Sequence, residues 1–189
     1  VFVQNKLGAK NAACFDLSAA CSGFLYGLSI GDSFIRTRQF KRIVVINGHG
    51  GNDAPNRVVM NTVSEDNVFI VAFSWWAVVT QEMKEWSEAD AGSVGHGGEW
   101  ETSVQLHLRD YLIDKSKMNA DIFPNPFSPD LRGFAGFAER RRDTRDVTGT
   151  MGNSLVASAA KGEKVFNLVV DRLEKMVRDF IEFSRSYQP

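Results

Sequence analysis

Three short phrases hold the residue types that do chemistry. Cys21 sits in FDLSAACSGF (residues 15–24), flanked by the small residues Ala19, Ala20, Ser22 and Gly23. A thiol at the start of a helix lies at the positive end of the helix dipole, which favours the nucleophilic thiolate. Small neighbours leave room for an approaching substrate. On spacing alone the commoner explanation is a buried packing cysteine. The second phrase, NGHGGN (47–52), surrounds His49 with glycines that let the chain bend sharply and present the imidazole, a good ligand for zinc and similar ions. The third, GHGGEWETS (95–103), brings His96, Glu99 and Glu101 to the mouth of a helix, with Trp100 between the carboxylates. Imidazole with carboxylate is the donor set of metal-assisted hydrolysis. A pair of flexible glycine turns with solvated histidines has the same spelling, and residue types alone leave both readings open.

These phrases need a frame. Ala12–Ser18 reads as a short buried strand, and Ser22–Thr37 as a helix with Phe24, Leu28, Gly31 and Ile35 on one stripe. Lys41–Asn47 (KRIVVIN) is β-branched and reads as a parallel strand buried on both faces. A helix is expected over Ala54–Glu65, a strand over Val68–Ser74, a weak helix over Ala77–Trp86 and another helix over Glu99–Leu112. Asn119–Thr150 carries most of the prolines and few regular signals. Ser154–Ser184 reads as a long helix whose Phe166, Val169, Val170, Leu173, Val177, Phe180 and Ile181 follow the helical period. Strands alternating with helices predict an α/β fold, a layered α/β/α domain with a mainly parallel sheet. Ligands gather at the carboxyl ends of the strands in such folds, and Cys21 and NGHGGN both lie just past strand ends in this reading.

The bulk numbers narrow the partners. The chain has 189 residues, 43% hydrophobic and 24% charged, and a formal net charge of −1, so nothing global points to nucleic acid or an anionic membrane. The basic run RRRDTR (140–145) is interleaved and flanked by acids and reads as a solvated loop. The longest apolar run, Val68–Val79, is interrupted by Ser74 and falls short of the about 20 residues that span a bilayer. Two cysteines, Cys14 and Cys21, make no disulfide framework, and the start lacks the pattern of a signal peptide. A cytoplasmic location is the default expectation. His107 reads as a packing or surface residue. No nucleotide-cofactor motif is expected.

The wording of the phrases adds a second layer. Residues 1–38, with D-L-S-A-A-C-S-G-F at their centre, resemble the nucleophile region of β-ketoacyl-acyl-carrier-protein synthase III, a thiolase-fold condensing enzyme. That resemblance implies that Cys21 is an acyl-accepting nucleophile. The same family uses a His and an Asn from a later segment, and nothing after residue 40 resembles it. Residues 40–189 instead resemble the creatininase family of metal-dependent amidohydrolases. They do so through N-G-H-G-G-N, G-H-x-G-E-W-E-T-S, Trp75-Trp76, TGTMGN (148–153) and AAKGE (159–163). This second resemblance implies a creatininase-like fold, with His49 and Glu101 as metal ligands. It places His96 beside the substrate, assisting proton transfer or orienting it, and Glu99 and Trp100 in the pocket lining.

Together the resemblances imply a two-parent chimera, engineered or recombined between about Arg36 and Arg42. It would form a single α/β domain over 1–189, with a synthase-like segment over 1–40 and a creatininase-like segment over 41–189. The amidohydrolase family also uses an upstream E-x-H motif. Before His49 the acids are Asp16 and Asp32 alone, so Zn or Mn is expected to be weakly held and catalysis inefficient. Hydrolysis of a cyclic amide or other non-peptide C–N bond is the alternative, and acyl transfer through Cys21 a second. Shared placement of Cys21 and His49 at neighbouring strand ends would make a mixed thiol–imidazole site. A homo-oligomer is expected, with a small amide as substrate and with no nucleic acid or membrane partner.

Overall fold

A computed structural model describes residues 1–62, 68–89, 95–121 and 149–187. The chain divides into two compact units, one comprising 1–80 with 168–189 and the other 81–167.

The first unit opens with helices α1 (Phe2–Leu7) and α2 (Ala20–Arg36), then strand β1 (Arg42–Asn47), a single 3-10 turn at Gly50–Asn52, helix α3 (Asp53–Thr62) and strand β2 (Phe69–Ser74). The strands pair in parallel, in register from Arg42 opposite Phe69 to Asn47 opposite Ser74. Parallel neighbours need a crossover, and α3 lies between them in the chain. A 3-10 stretch at Trp75–Val79 follows β2, and α4 (Thr80–Trp86) begins at the unit's edge.

The strand expected at Ala12–Ser18 does not form. That stretch is exposed and without regular structure. Its apolar groups lean on α2 instead: Phe15 meets Phe34 edge-on at 6.4 Å, and Leu17 lies over Gly27, 3.6 Å from where a Cβ would stand. Two alanines, an acid and no β-branched residue give this stretch little preference for a sheet edge over such local contacts. The strand–helix–strand unit is therefore β1–α3–β2, and the helix carrying Cys21 is joined to it without a strand in front.

The expectation that β1 is buried on both faces also fails. Val44 and Ile46 are 37% and 47% exposed, while Ile43 and Val45 are half-buried or exposed at most in part. A strand reads as continuously apolar when both faces are covered; among the described residues the sheet has two strands, and one face of β1 lacks cover. No residue of α2 is buried, so its apolar stripe is only partly covered too.

In the second unit, α5 (Glu99–Arg109) continues into a 3-10 turn at Asp110–Leu112. The two-residue strands β3 (Ala120–Asp121) and β4 (Gly152–Asn153) pair antiparallel. Helix α6 (Ala159–Ser186) starts here and ends in the first unit. Val165, Val169, Leu173 and Val177, four residues apart, are its buried stripe, as the helical period predicts. Gly162 is the residue that lets α6 lie against α5: a Cβ there would overlap the Ser103 carbonyl oxygen and come within 2.9 Å of the His107 Cβ. Ser103 is fully buried and its hydroxyl accepts from the Ser158 N–H at 3.1 Å. His107 stacks at a tilt on Phe166, with ring centroids 5.7 Å apart. Among the described residues, no helix is long and apolar enough to cross a membrane. Most of the proline-bearing stretch Asn119–Thr150 and the basic run at 140–145 lie outside the described residues.

Candidate functional site

In the first unit the carboxyl ends of β1 and β2 carry a chain of hydrogen-bonded polar groups that runs from buried to exposed. The Asn47 side chain accepts the His49 N–H at 3.1 Å and donates to the Ser74 hydroxyl at 3.0 Å. Ser74 donates in turn to the Asp53 carboxylate at 2.5 Å, and the other Asp53 oxygen accepts from Arg57 at 3.1 Å. The Ser74 hydroxyl holds the Asp53 carboxyl below its ordinary range, against the opposing effect of burial and with help from Arg57. Asn47 and Ser74 are 6% and 8% exposed; side chains so placed must be hydrogen-bonded, and here each one fixes the next. Asn52, also buried, donates from its N–H to the His49 carbonyl and from its side chain to the Ala20 carbonyl, both at 3.0 Å. The two asparagines of NGHGGN thus clamp the turn on both sides and tie it to the start of α2.

The consequence is a contact between the two chemically distinct phrases. Cys21, in the first turn of α2, places its Sγ 3.0 Å from His49 Nε2. Gly51 forms the floor: a Cβ there would stand 2.9 Å from Nε2 and 3.8 Å from Sγ. Ala20 has φ +43°, a left-handed conformation that alanine adopts at a cost, so the elbow presenting Cys21 is strained. Cys21 is exposed and His49 half-buried. Cys14, also exposed, receives a hydrogen bond from the N-terminal amine at 3.2 Å.

In the second unit the turn at Gly95–Gly98 leads into α5. Glu101 reaches back to accept the Gly97 N–H at 2.7 Å, and its carboxylate lies 3.8 Å from His96 Nδ1. Gly97 has φ +65°, and a Cβ on Gly95 would overlap the Met151 carbonyl oxygen. The Met151 N–H donates to the His96 carbonyl at 2.7 Å, so the TGTMGN phrase braces the histidine turn. His96 and Glu101 are brought together and stay solvent-accessible, with side chains 62% and 38% exposed.

Glu99 and Trp100, expected to line a pocket, are placed differently. Glu99 is fully buried, and its carboxylate accepts from Lys161 at 2.6 Å, from the N–H groups of Glu88 at 3.1 Å and Ala89 at 3.2 Å, and from the Ser87 hydroxyl. Burial pushes the Glu99 carboxyl up, and these four donors outweigh it and hold the group below its ordinary range. Burial alone would lower the Lys161 ammonium; Glu88 and Glu99 beside it keep it raised. Trp100 is 2% exposed, and its indole N–H has no acceptor among the described residues.

The family model for creatininase, described as creatinine amidohydrolase, matches residues 26–177. The chain belongs to the creatininase family. Solved structures agree on the fold. A putative creatinine amidohydrolase from Bacteroides fragilis is 23% identical over 95% of this chain and 68% of its own, with a TM-score of 0.63. A manganese creatininase is 21% identical, covering 94% of this chain and 78% of its own, at 0.61. A mutant creatininase of the Zn–Zn type is 23% identical, covering 93% and 70%, at 0.57. The α/β class with a parallel sheet is that of the creatininase fold.

A second likeness is shorter. β-Ketoacyl-acyl-carrier-protein synthase III of Clostridium acetobutylicum is 54% identical over 44 residues, which is 23% of this chain and 14% of that protein. The synthase III of Granulibacter bethesdensis is 63% identical over 46 residues, 24% and 14% respectively. The chain spans about one-seventh of the length of these curated relatives.

Zinc and manganese occur in the creatininases above, so the donor sets here bear on whether such an ion fits. Within each unit, among the described residues, no three His, Cys, Asp or Glu side chains are grouped to hold one. Each unit brings together two candidates: Cys21 with His49, and His96 with Glu101. Ligand atoms on a tetrahedral zinc, at about 2.3 Å for sulfur and about 2.0 Å for nitrogen, stand about 3.5 Å apart. Sγ and Nε2 at 3.0 Å are in direct hydrogen-bonding contact instead. Among the described residues, neither pair as placed makes up by itself the donor set of a resident ion. Sequence reasoning passed over Asn47, Asn52, Asp53, Ser74 and Lys161. The signal that could have found the first two is an asparagine at each end of a glycine phrase, a residue type that bonds turn backbone with its side chain.

Proposed function

We propose that this protein is a two-parent chimera. Its body is a creatininase-type amidohydrolase scaffold, and its first segment is the nucleophile region of a ketoacyl synthase. The ancestral chemistry of the body is metal-dependent hydrolysis of a cyclic amide or other non-peptide C–N bond. This chain carries that chemistry without an efficient metal site. The observation behind this reading is the His49 imidazole, the body's strand-end ligand candidate, engaged by the Cys21 thiol from the other segment at 3.0 Å. The short synthase matches and the creatininase match over residues 26–177 support the two parentages.

A second reading, a residual Zn- or Mn-dependent amidohydrolase, draws support from the metal forms of the structural relatives. One experiment separates them. The purified chain is dialysed against zinc or manganese, its metal content is measured, and creatinine turnover is followed. Substoichiometric metal and no turnover are expected. One tightly held ion per chain with metal-dependent ring opening would overturn the first reading in favour of the second.

A further inference from the structure

We propose that residues 1–38 act as a lid on the His49 turn, a segment that docks there through the start of α2 and opens as a unit while the rest of the first unit stays folded. No residue of 1–38 is buried, and Leu25, Tyr26 and Leu28 of α2 are exposed, so little apolar surface holds the segment down. The attachments are few. At the start of α2 the Asn52 side chain donates to the Ala20 carbonyl at 3.0 Å, and Cys21 Sγ stands 3.0 Å from His49 Nε2. At its far end Phe34 meets Phe40 edge-on, with ring centroids 4.9 Å apart. The ion pair of Lys6 with Asp171 is solvent-exposed and adds little.

The segment is held together better than it is held down. Phe15 and Leu17 pack on α2, at Phe34 and Gly27, and the Gln4 side chain donates to the Ala9 and Ala12 carbonyls. The end of α2 is closed by its own chain: the Arg38 N–H donates to the Ile35 carbonyl at 2.9 Å and the Gln39 N–H to the Phe34 carbonyl at 3.1 Å. These bonds survive undocking. Ala20 is different. Its left-handed backbone, φ +43°, stands at the docking joint itself, where its carbonyl meets Asn52, and such a conformation persists only while its surroundings impose it. Closed, the lid sets Cys21 against the His49 ring; open, the strand-end turn faces solvent. The first segment thus gates access to the second. The lid involves no metal and no bond-making, so it stands or falls apart from the amidohydrolase reading, which metal loading tests by itself.

Hydrogen exchange of the full chain, resolved by peptide mass spectrometry, tests it. The amides of α2 are expected to exchange faster than those of α6 around the buried Leu173 by roughly a hundredfold or more, as a part-molecule opening does. Asn52→Ala is expected to speed α2 by a further tenfold or so, the worth of one hydrogen bond, and to leave α6 unchanged. Carbethoxylation of His49 by diethyl pyrocarbonate, followed in the same peptides, is expected to rise by the same factor in that variant, with the exposed His96 of the other unit constant as the internal control. Equal exchange of α2 and α6 in the unaltered chain overturns the proposal, as does an Asn52→Ala protein in which both helices speed up alike. Faster α2 exchange with an unmoved His49 rate overturns it too, because α2 is then no cover for the ring. If Asn52→Ala fails to fold, Phe40→Ala, which removes the attachment at the far end, decides it by the same readouts.

Discussion

At the scale of single residues, two side chains matter for opposite reasons. Glu99 belongs to the most distinctive phrase of the sequence, yet its carboxylate is buried among Lys161, Ser87 and two backbone N–H groups. Removing one partner of such a pair leaves the other charge uncompensated. Glu99→Gln is expected to destabilise the second unit by about 3 kcal/mol, with Glu99→Gln/Lys161→Met costing less than the sum of the single changes, read from urea unfolding. The pH dependence follows from the direction of the shift. Glu99 titrates lower in the folded state, so its contribution is complete above the ordinary glutamate range and is lost as pH falls through the depressed folded value. Lys161 is raised, so its share persists until pH climbs through the raised value. Acid unfolding of the Glu99→Gln protein should therefore be shallower than that of the unaltered chain. Ala20 is the opposite case, a residue held against its preference at φ +43°. Ala20→Gly is expected to raise stability by about 1 kcal/mol, seen as a higher urea midpoint at unchanged slope.

At the scale of elements, helix contacts are decided by residues that look unimportant in sequence. Gly162 reads as a weak point in a long helix, with a cost of about 1 kcal/mol relative to alanine in an exposed position. Here it is where α6 meets the backbone of α5 at Ser103. Gly162→Ala is expected to destabilise by about 2 kcal/mol or more despite its better helix propensity, because the obstructing atom is a backbone oxygen that cannot turn away. Thermal unfolding of that variant checks the sign: a raised midpoint would mean that α6 shifts freely. The helices and the strands β1 and β2 were legible because period and β-branching are local properties. The false strand at Ala12–Ser18 was not, because a short apolar run becomes a strand only when a partner edge is available. The resemblance of its neighbourhood to a ketoacyl synthase concerns residues, and carries no partner edge with it.

At the scale of the whole molecule, the family match spans residues 26–177 and therefore reaches into the synthase-like segment. The first unit leaves Val44 and Ile46 on β1 and Leu25, Tyr26 and Leu28 on α2 with 37% to 60% of their surface exposed. Apolar side chains beside unpaired strand edges favour association. Sedimentation velocity over a concentration series is expected to show self-association, diminished by Ile46→Lys; a monomer at every concentration refutes it.

The sequence by itself determined the helical and β periods, the family of the body and the phrases in which Cys21, His49, His96 and Glu101 stand, because these rest on residue type and local order. Only the tertiary structure decided which of them meet. It set Cys21 against His49 through the Asn52 bridge to Ala20, a bond between residues 32 apart in the chain. It gave Glu99 to Lys161 across 62 residues and left Glu101 near His96. Partner choice at such separations depends on which backbones approach closely and which charges lose their water. Neither quantity is carried by any single phrase.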